Sequence, residues 1–296
     1  MYRYAKPTSL NDALALLGDG DWTILAGGTD FYPALGSKPL RQDVLDINGL
    51  EELRGISATD SHILIGARTT WTDILRAELP SAFDGLKQAA REVGSVQIQN
   101  CGTVAGNLCN ASPAADGAPP LLTLDAEVEL QSARGPRVLP LSEFILGNRK
   151  TVLARDELLT GIRVPTAATK GASAFLKLGA RRYLVISIAM VAARLVADAE
   201  GKILSAAVAV GSCSAVAQRL VEVEQSLTGL PLGQALAEAA MTAKLDELSP
   251  IDDVRGSADY RGEAARELVA RALLAASGEA GCLSRQKPLG IQRTAS

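Results

Sequence analysis

Two glycine-bearing loops hold the residues of this 296-residue chain whose types and spacing could do chemistry on a charged small molecule. The first runs Ile24-Leu25-Ala26-Gly27-Gly28-Thr29-Asp30-Phe31 and reads as a strand, a tight turn and a helix start. Glycine lets backbone N–H groups approach an anion without a Cβ in the way, and a helix start adds unpaired donors at a positive dipole end. A phosphate suits that place, provided the Asp30 carboxylate turns away to cap the helix beginning near Phe31. The same pattern is also an ordinary turn. It supplies no G-x-G-x-x-G, no βαβ unit is read around it, and no G-x-x-x-x-G-K-S/T occurs, so Rossmann and P-loop folds are disfavoured.

The second loop is Asn100-Cys101-Gly102-Thr103-Val104-Ala105-Gly106-Asn107, continued by Ala111-Ser112-Pro113-Ala114-Ala115-Asp116. Its small residues permit close backbone approach. Thr103, Asn107 and Ser112 offer neutral donors, and the Asp116 carboxylate can accept from two ribose hydroxyls. Two anion-tolerant loops fit the pyrophosphate of a dinucleotide better than a single phosphate. An Asn/Ser-rich Ω-loop packed for its own sake gives the same residues.

The elements that must position these loops follow from periodicity. Ser9 caps a helix whose Leu10, Leu14 and Leu17 share a face and which ends at Gly18. Strands are read at Trp22–Ala26 and Val44–Ile47. A second unit starts with the strand His62–Ile65, a helix capped by Thr70 with Asp73 in its first turn, and a helix around Phe83–Val93. A long irregular stretch from Gly94 to Pro120 follows; such stretches inside compact domains are usually functional. The strands Ala126–Gln131 and Arg137–Leu139 flank a turn at 132–136. Beyond a boundary at Pro165–Gly171 come strands at Ala172–Ala180, Val185–Val196 and Ile203–Val210. Two helices then carry Leu220, Val223 and Leu227, and Ala265, Val269 and Leu273. Strands followed by helices read as α+β.

Composition narrows the function. The chain is 47% hydrophobic, 21% charged and 4% aromatic, enough for an aliphatic core in one large or a few small domains. A net charge of −3 without basic clusters argues against nucleic acid. Met1–Pro7 has no apolar stretch behind its basic residues, and no run is long enough for a bilayer, so the expectation is a cytoplasmic protein without membrane insertion. Cys101, Cys109, Cys213 and Cys282 lack cluster or zinc spacing and read as free thiols. The single His62 cannot build a multi-histidine metal site and reads as a surface or strand-edge residue. No metal site is expected.

Taken together, the two loops resemble the paired FAD-binding signatures of the molybdenum hydroxylases, the xanthine dehydrogenase and carbon monoxide dehydrogenase family. That family carries A-G-G-T-D/E near the start of its medium subunit and T-I/V-G-G-N-x-x-x-x-x-P-x-x-D further on. Here these are Ala26–Asp30 and Thr103–Asp116, in the same order and separation. The likeness continues through Lys177–Arg182 and Asp253–Arg261 and covers nearly the whole chain.

The resemblance implies a two-part, non-Rossmann FAD-binding domain of the PCMH type, residues 1–55 and 56–165. An α+β domain at 172–284 and a tail at 285–296 complete it. It implies non-covalent FAD, its pyrophosphate among Ile24, Leu25, Ala26, Gly27, Gly28, Thr29, Asp30 and Phe31 and among Thr103, Val104, Ala105, Gly106 and Asn107. By the same likeness Asp116 holds the adenosine ribose end and Leu159 gives a backbone contact near the flavin. Lys177 stands beside the ring, where an ammonium favours the reduced form, and Tyr183 covers it. Ala105 replaces a family glycine, so its φ should be negative.

The implied role is electron transfer, with no catalytic residue for hydroxylation on this chain. A small subunit with 2Fe–2S clusters would deliver electrons from a large molybdopterin subunit, in a dimer of heterotrimers, and an external acceptor would remove them. Two rivals stand beside this reading. A covalent-flavin oxidase of the vanillyl-alcohol type would need a His or Cys tether and a cap domain. A flavin-free assembly protein could keep the fold alone.

Overall fold

The computed structural model describes residues 2–278; the tail from 285, Cys282 and the end of the 172–284 segment lie outside them. The first unit is a parallel sheet of β1 (Tyr4–Ala5), β2 (Trp22–Leu25) and β3 (Asp43–Asp46), with β3 in the middle. Helix α1 (Leu10–Gly18) starts where Ser9 Oγ accepts from Asp12 N at 3.2 Å, and it buries Ala13, Leu14 and Leu17. That cap fixes the helix start locally, as its sequence predicts. The short α2 (Phe31–Leu35) leads from β2 to the parallel β3. A small βαβ crossing therefore does surround the first loop, against expectation. Its helix is too short to show periodicity in the sequence.

The second unit is a five-stranded sheet in the order β4-β5-β10-β6-β7, built from β4 (Ile56–Ala58), β5 (His62–Gly66), β6 (Glu127–Ser132), β7 (Gly135–Pro140) and β10 (Leu158–Pro165). Helices α3 (Trp71–Arg76) and α4 (Asp84–Glu92) follow β5. Thr70 and Asp73 form a capping box at the start of α3, which ties the helix to the strand end as read from the sequence. The stretch read as irregular instead holds α5 (Val96–Cys101), α6 (Val104–Asn110) and α7 (Ala118–Thr123). Each is one or two turns long, which periodicity cannot register. Pro119 and Pro120 look like helix breakers but occupy the first turn of α7, where a missing N–H costs nothing. Helix α8 (Leu141–Phe144) and the hairpin of β8 (Ile145–Gly147) and β9 (Lys150–Thr151) complete the unit.

The third unit is an antiparallel sheet of β11 (Ala172–Leu178), β12 (Ala189–Ala197), β13 (Ile203–Gly211) and β14 (Gln218–Arg219), in that order. Helices α9 (Val221–Leu227), α10 (Gln234–Thr242) and α11 (Ala258–Ala276) follow, and α11 packs on β11 and β12. Apart from Arg194, strand β12 is apolar on both faces because helices cover both. It begins at Ala189 rather than Val185. Leu184 takes φ +53°, which no ladder accommodates, and Tyr183, Leu184 and Ile186 stand exposed on the preceding loop. The sequence run is β-prone but has nothing to pack on.

Helices of the second unit join it to the third. Gly85 on α4 lies so close to β11 that a Cβ there would meet Ala174 O at 3.2 Å. Gly85 N donates to Ser173 Oγ at 2.8 Å, and Phe175 N donates to Gln88 Oε1 at 2.7 Å. Helix α7 packs under β12 and β13. Arg194, buried on β12, donates to Thr123 O and to Asp125 at the end of α7. No helix among the described residues is long and apolar enough to cross a membrane.

Burial pushes the Cys213 thiol up to about 11 and the Cys109 thiol up to about 12, although Cys109 keeps some exposed surface. Cys101 is exposed. The thiolate is the reactive form. Among the three described cysteines, an aromatic disulfide reagent at neutral pH should therefore label Cys101 first, with Cys109 and Cys213 reacting on unfolding, as read by peptide mapping. Early labelling of Cys213 would contradict this packing.

Candidate functional site

The first loop is held by a chain of hydrogen bonds that starts at the sheet. Tyr4 Oη donates to Asp46 Oδ2 at 2.6 Å, while Asp46 Oδ1 accepts from Asn48 N and Nδ2 at 2.9 and 2.8 Å. Asn48 Nδ2 also donates to Ala26 O at 2.8 Å and so fixes the loop backbone. Gly28 turns the chain at φ +71°, with the Tyr32 ring over it. Among the described residues, none of the backbone N–H groups of Gly27, Gly28, Thr29 and Asp30 meets an acceptor. Four consecutive free donors in a glycine turn are available to an anion.

The two loops meet. A Cβ on Gly27 would lie 2.0 Å from Cys101 O and 2.9 Å from Gly102 Cα, and one on Gly102 would lie 3.3 Å from Thr29 Oγ1. Asp30 occupies the N-cap position of α2 in an αR conformation, with no side-chain cap bond. A capping carboxylate needs extended backbone to reach the first-turn N–H groups. Asp30 Oδ1 instead accepts from Asn110 Nδ2 at 3.0 Å, and Asn110 Oδ1 accepts from Arg149 Nη1 at 2.7 Å. The expected cap is thus replaced by a bond between the loops.

In the second loop Thr103 is the N-cap of α6, its Oγ1 accepting from Gly106 N at 3.0 Å. Val104 N donates to Thr69 O at 3.1 Å, and Asn107 Oδ1 accepts from Gly117 N at 3.2 Å. Ala105 lies buried in the first turn of α6 and is not among the positive-φ residues, as its substitution for glycine demands. Asn107 reaches to the residue after Asp116, so α6 sets where that carboxylate sits.

Asp116 and Lys177 form one buried ion pair. Lys177 Nζ donates to Asp116 Oδ2 at 2.7 Å, with side-chain exposures of 6% and 8% for Lys177 and Asp116. Ser187 Oγ donates to Asp116 Oδ1 at 3.0 Å, and Lys177 Nζ also approaches Glu92 O at 3.4 Å. Burial pushes the Asp116 carboxyl up, against the opposing pull of the Lys177 ammonium and the Ser187 hydroxyl. Leu159 is buried on β10 opposite Leu130, beside a bulge; the register with β5 begins only at Gly161. Tyr183 is exposed, with the Arg182 guanidinium 5.5 Å from its ring. His62 stands at the start of β5, its Nδ1 near Ser61 Oγ and Thr59 Oγ1.

Residues 1–167 match the family model of the FAD binding domain in molybdopterin dehydrogenase, and residues 174–276 match the CO dehydrogenase flavoprotein C-terminal domain. This chain belongs to the FAD-binding medium subunits of the molybdenum hydroxylases. Within that family it is 33% identical to the nicotinate dehydrogenase FAD-subunit of Eubacterium barkeri, over 88% of this chain and 91% of that one. It is 32% identical to the nicotine 6-hydroxylase medium subunit of Paenarthrobacter nicotinovorans, over 93% and 96%. The solved carbon monoxide dehydrogenase of Hydrogenophaga pseudoflava superposes with a TM-score of 0.84 at 30% identity, covering 94% of this chain and 98% of that one. The chain is thus an oxidoreductase subunit with an α+β fold.

The loop chemistry fits the family's cofactor: a glycine cradle with free donors suits a pyrophosphate, and a buried polar pair suits the rest of a dinucleotide. Sequence reasoning missed Asn48, Asn110 and Ser187. Asn48 and Ser187 are lone polar residues, Asn110 fills a variable position of the second signature, and only the fold shows what they bond.

Gly27→Ala tests the loop contact directly. Its methyl group would strike the Cys101–Gly102 backbone, which cannot move as a side-chain end can. The substitution should cost about 1–3 kcal/mol in urea unfolding. Unchanged stability would mean that the two loops do not touch.

Proposed function

We propose that this subunit binds FAD non-covalently across the two loops and relays electrons from an iron–sulfur partner to an external acceptor. The observation that carries the reading is the run of free N–H groups at Gly27–Asp30, packed against the second loop. Residues 1–55 and 56–165 supply the two sides of the site. Ile24 and Leu25 bring the strand to the cradle, Ala26 to Phe31 surround the phosphates, and Thr103, Val104, Ala105, Gly106 and Asn107 close the opposite wall. FAD, when bound, supplies the redox chemistry by taking up and releasing electrons.

Asp116 and Lys177 then act as one group. An extended dinucleotide cannot place its adenosine ribose and its ring at a single ion pair 2.7 Å across. The separate assignments give way to a joint one at the flavin end, where Lys177 brings positive charge and Asp116 fixes its position. An unpaired unit charge at about 4 Å and an effective dielectric near 20 is worth roughly 4 kcal/mol before screening. The Asp116 carboxylate 2.7 Å away offsets part of it, so the pair favours an electron-rich ring as a dipole with its positive end toward the ring. Leu159 offers backbone on the β10 edge that β5 leaves open, and Tyr183 stands on the adjoining loop as a cover.

The partners follow from the relatives' division of labour. A small subunit with 2Fe–2S clusters and a large molybdopterin subunit would complete a heterotrimer, paired as a dimer in the cytoplasm. Substrate hydroxylation lies with the large subunit. One FAD per purified chain should appear in the supernatant after acid precipitation, identified by chromatography. Flavin retained in the pellet would favour the covalent oxidase, and a colourless protein that takes up no added FAD would favour the assembly role.

A further inference from the structure

Arg68, Arg194 and Arg261 are the buried arginines among the described residues, and the last of them closes a ring around the Asp116–Lys177 pair. Arg261, in the first turn of α11, is 3% exposed. Its Nη1 donates to Ile188 O at 2.5 Å and to Ser212 O at 3.1 Å, and its Nη2 donates to Asp253 Oδ1 at 2.6 Å. Ile188 N donates to Leu178 O at 2.8 Å, next to Lys177, and the preceding Ser187 donates to Asp116. From the other side, Ser212 N donates to Pro113 O at 3.0 Å, on the loop that carries Asp116. The guanidinium therefore grips the start of β12 and the end of β13, and each of those points touches the Asp116 side.

We infer that Arg261 is a positioning residue for the flavin-end ion pair: it holds Ile188 and Ser212 so that Ser187 and the Pro113 loop fix Asp116 against Lys177. The inference rests on the proposed FAD reading. The two carbonyls and the carboxylate are divided between two nitrogens of one planar fork, a spread that a single ammonium on a flexible stem does not reproduce, so lysine keeps the charge but not the geometry. Asp253 orients the fork. The Arg255 N–H, together with Arg261 and Arg255 side chains, holds its carboxyl down at about 2, so it is ionised at neutral pH. The role is indirect, because no atom of Arg261 reaches the ion pair itself.

Arg194 gives the matching control. It is also buried and also bonds a carbonyl and a carboxylate, but on the α7 side, away from Asp116. FAD affinity and the absorption spectrum of the bound flavin should be measured for full-length R261K, R194K, S187A and R261K/S187A. R261K should weaken FAD about tenfold, as for one lost charge-assisted bond, and shift the flavin spectrum. R194K should lower the unfolding temperature and leave both flavin readouts unchanged. In the S187A background R261K should add little, since both act on Asp116. Equal flavin readouts for R261K and R194K, or full additivity with S187A, would overturn the inference. If R261K does not fold, D253N weakens only the far side of the fork and carries the same comparison. Asp116→Ala weakening FAD while R261K does not would sink this inference alone; a wild-type chain that binds no FAD would sink both.

Discussion

Opposite charges seldom leave water unless something else in the structure needs them there. Lys177 on β11 and Asp116 after α6 are 61 residues apart in sequence, belong to different units, and meet at 2.7 Å with less than a tenth of either side chain exposed. Removing one partner of such a pair typically costs about 3–5 kcal/mol, because the other charge is stranded, whereas the intact pair adds little net stability. Its worth is positional. The pair needs β11 held beside the α4 end and the Ser187 loop returned to Asp116, so the junction of the second and third units meets at it.

The other end of the site depends on the opposite kind of constraint, the absence of side chains. Gly27 has no room for a methyl group beside Cys101, and Gly28 turns with positive φ. Tyr4, Asp46 and Asn48 then hold the turn by its Ala26 carbonyl. A rigid cradle of free N–H groups costs little reorganisation when an anion arrives, which is the advantage of preorganised donors. The site thus joins a stiff pair of loops for phosphates to a buried charge pair whose partners come from two units.

What could be read in the sequence was local or written in a motif. The Ser9 cap, the Thr70–Asp73 capping box and the hairpin at 132–136 each depend on neighbours a few residues away. The glycine loops announced themselves by composition, and Ala105 by the backbone it permits. The rest depended on the fold. Helices α5, α6 and α7 are too short for a periodic signal, and Pro119–Pro120 disguised the last of them. The run Leu184–Ile186 has strand propensity but no sheet neighbour, so β12 starts later. Asp30 had the residue type of a cap and the wrong backbone for one. Asp116 and Lys177 were each legible as site residues, but nothing in their spacing showed that they pair; Arg261 ended a matched segment without any sign of its contacts, and Ser187 left no mark at all.

The central claim is that Asp116 and Lys177 work as a unit in holding the cofactor. A double-mutant cycle on FAD affinity tests it, with Asp116→Asn, Lys177→Met and the double variant titrated alongside the wild-type chain. Each single change strands one member of the pair, so the double variant should bind FAD no worse than the weaker single. The coupling energy should be about 1 kcal/mol or more. Losses that add to within about 0.3–0.5 kcal/mol would show two independent residues and contradict the account.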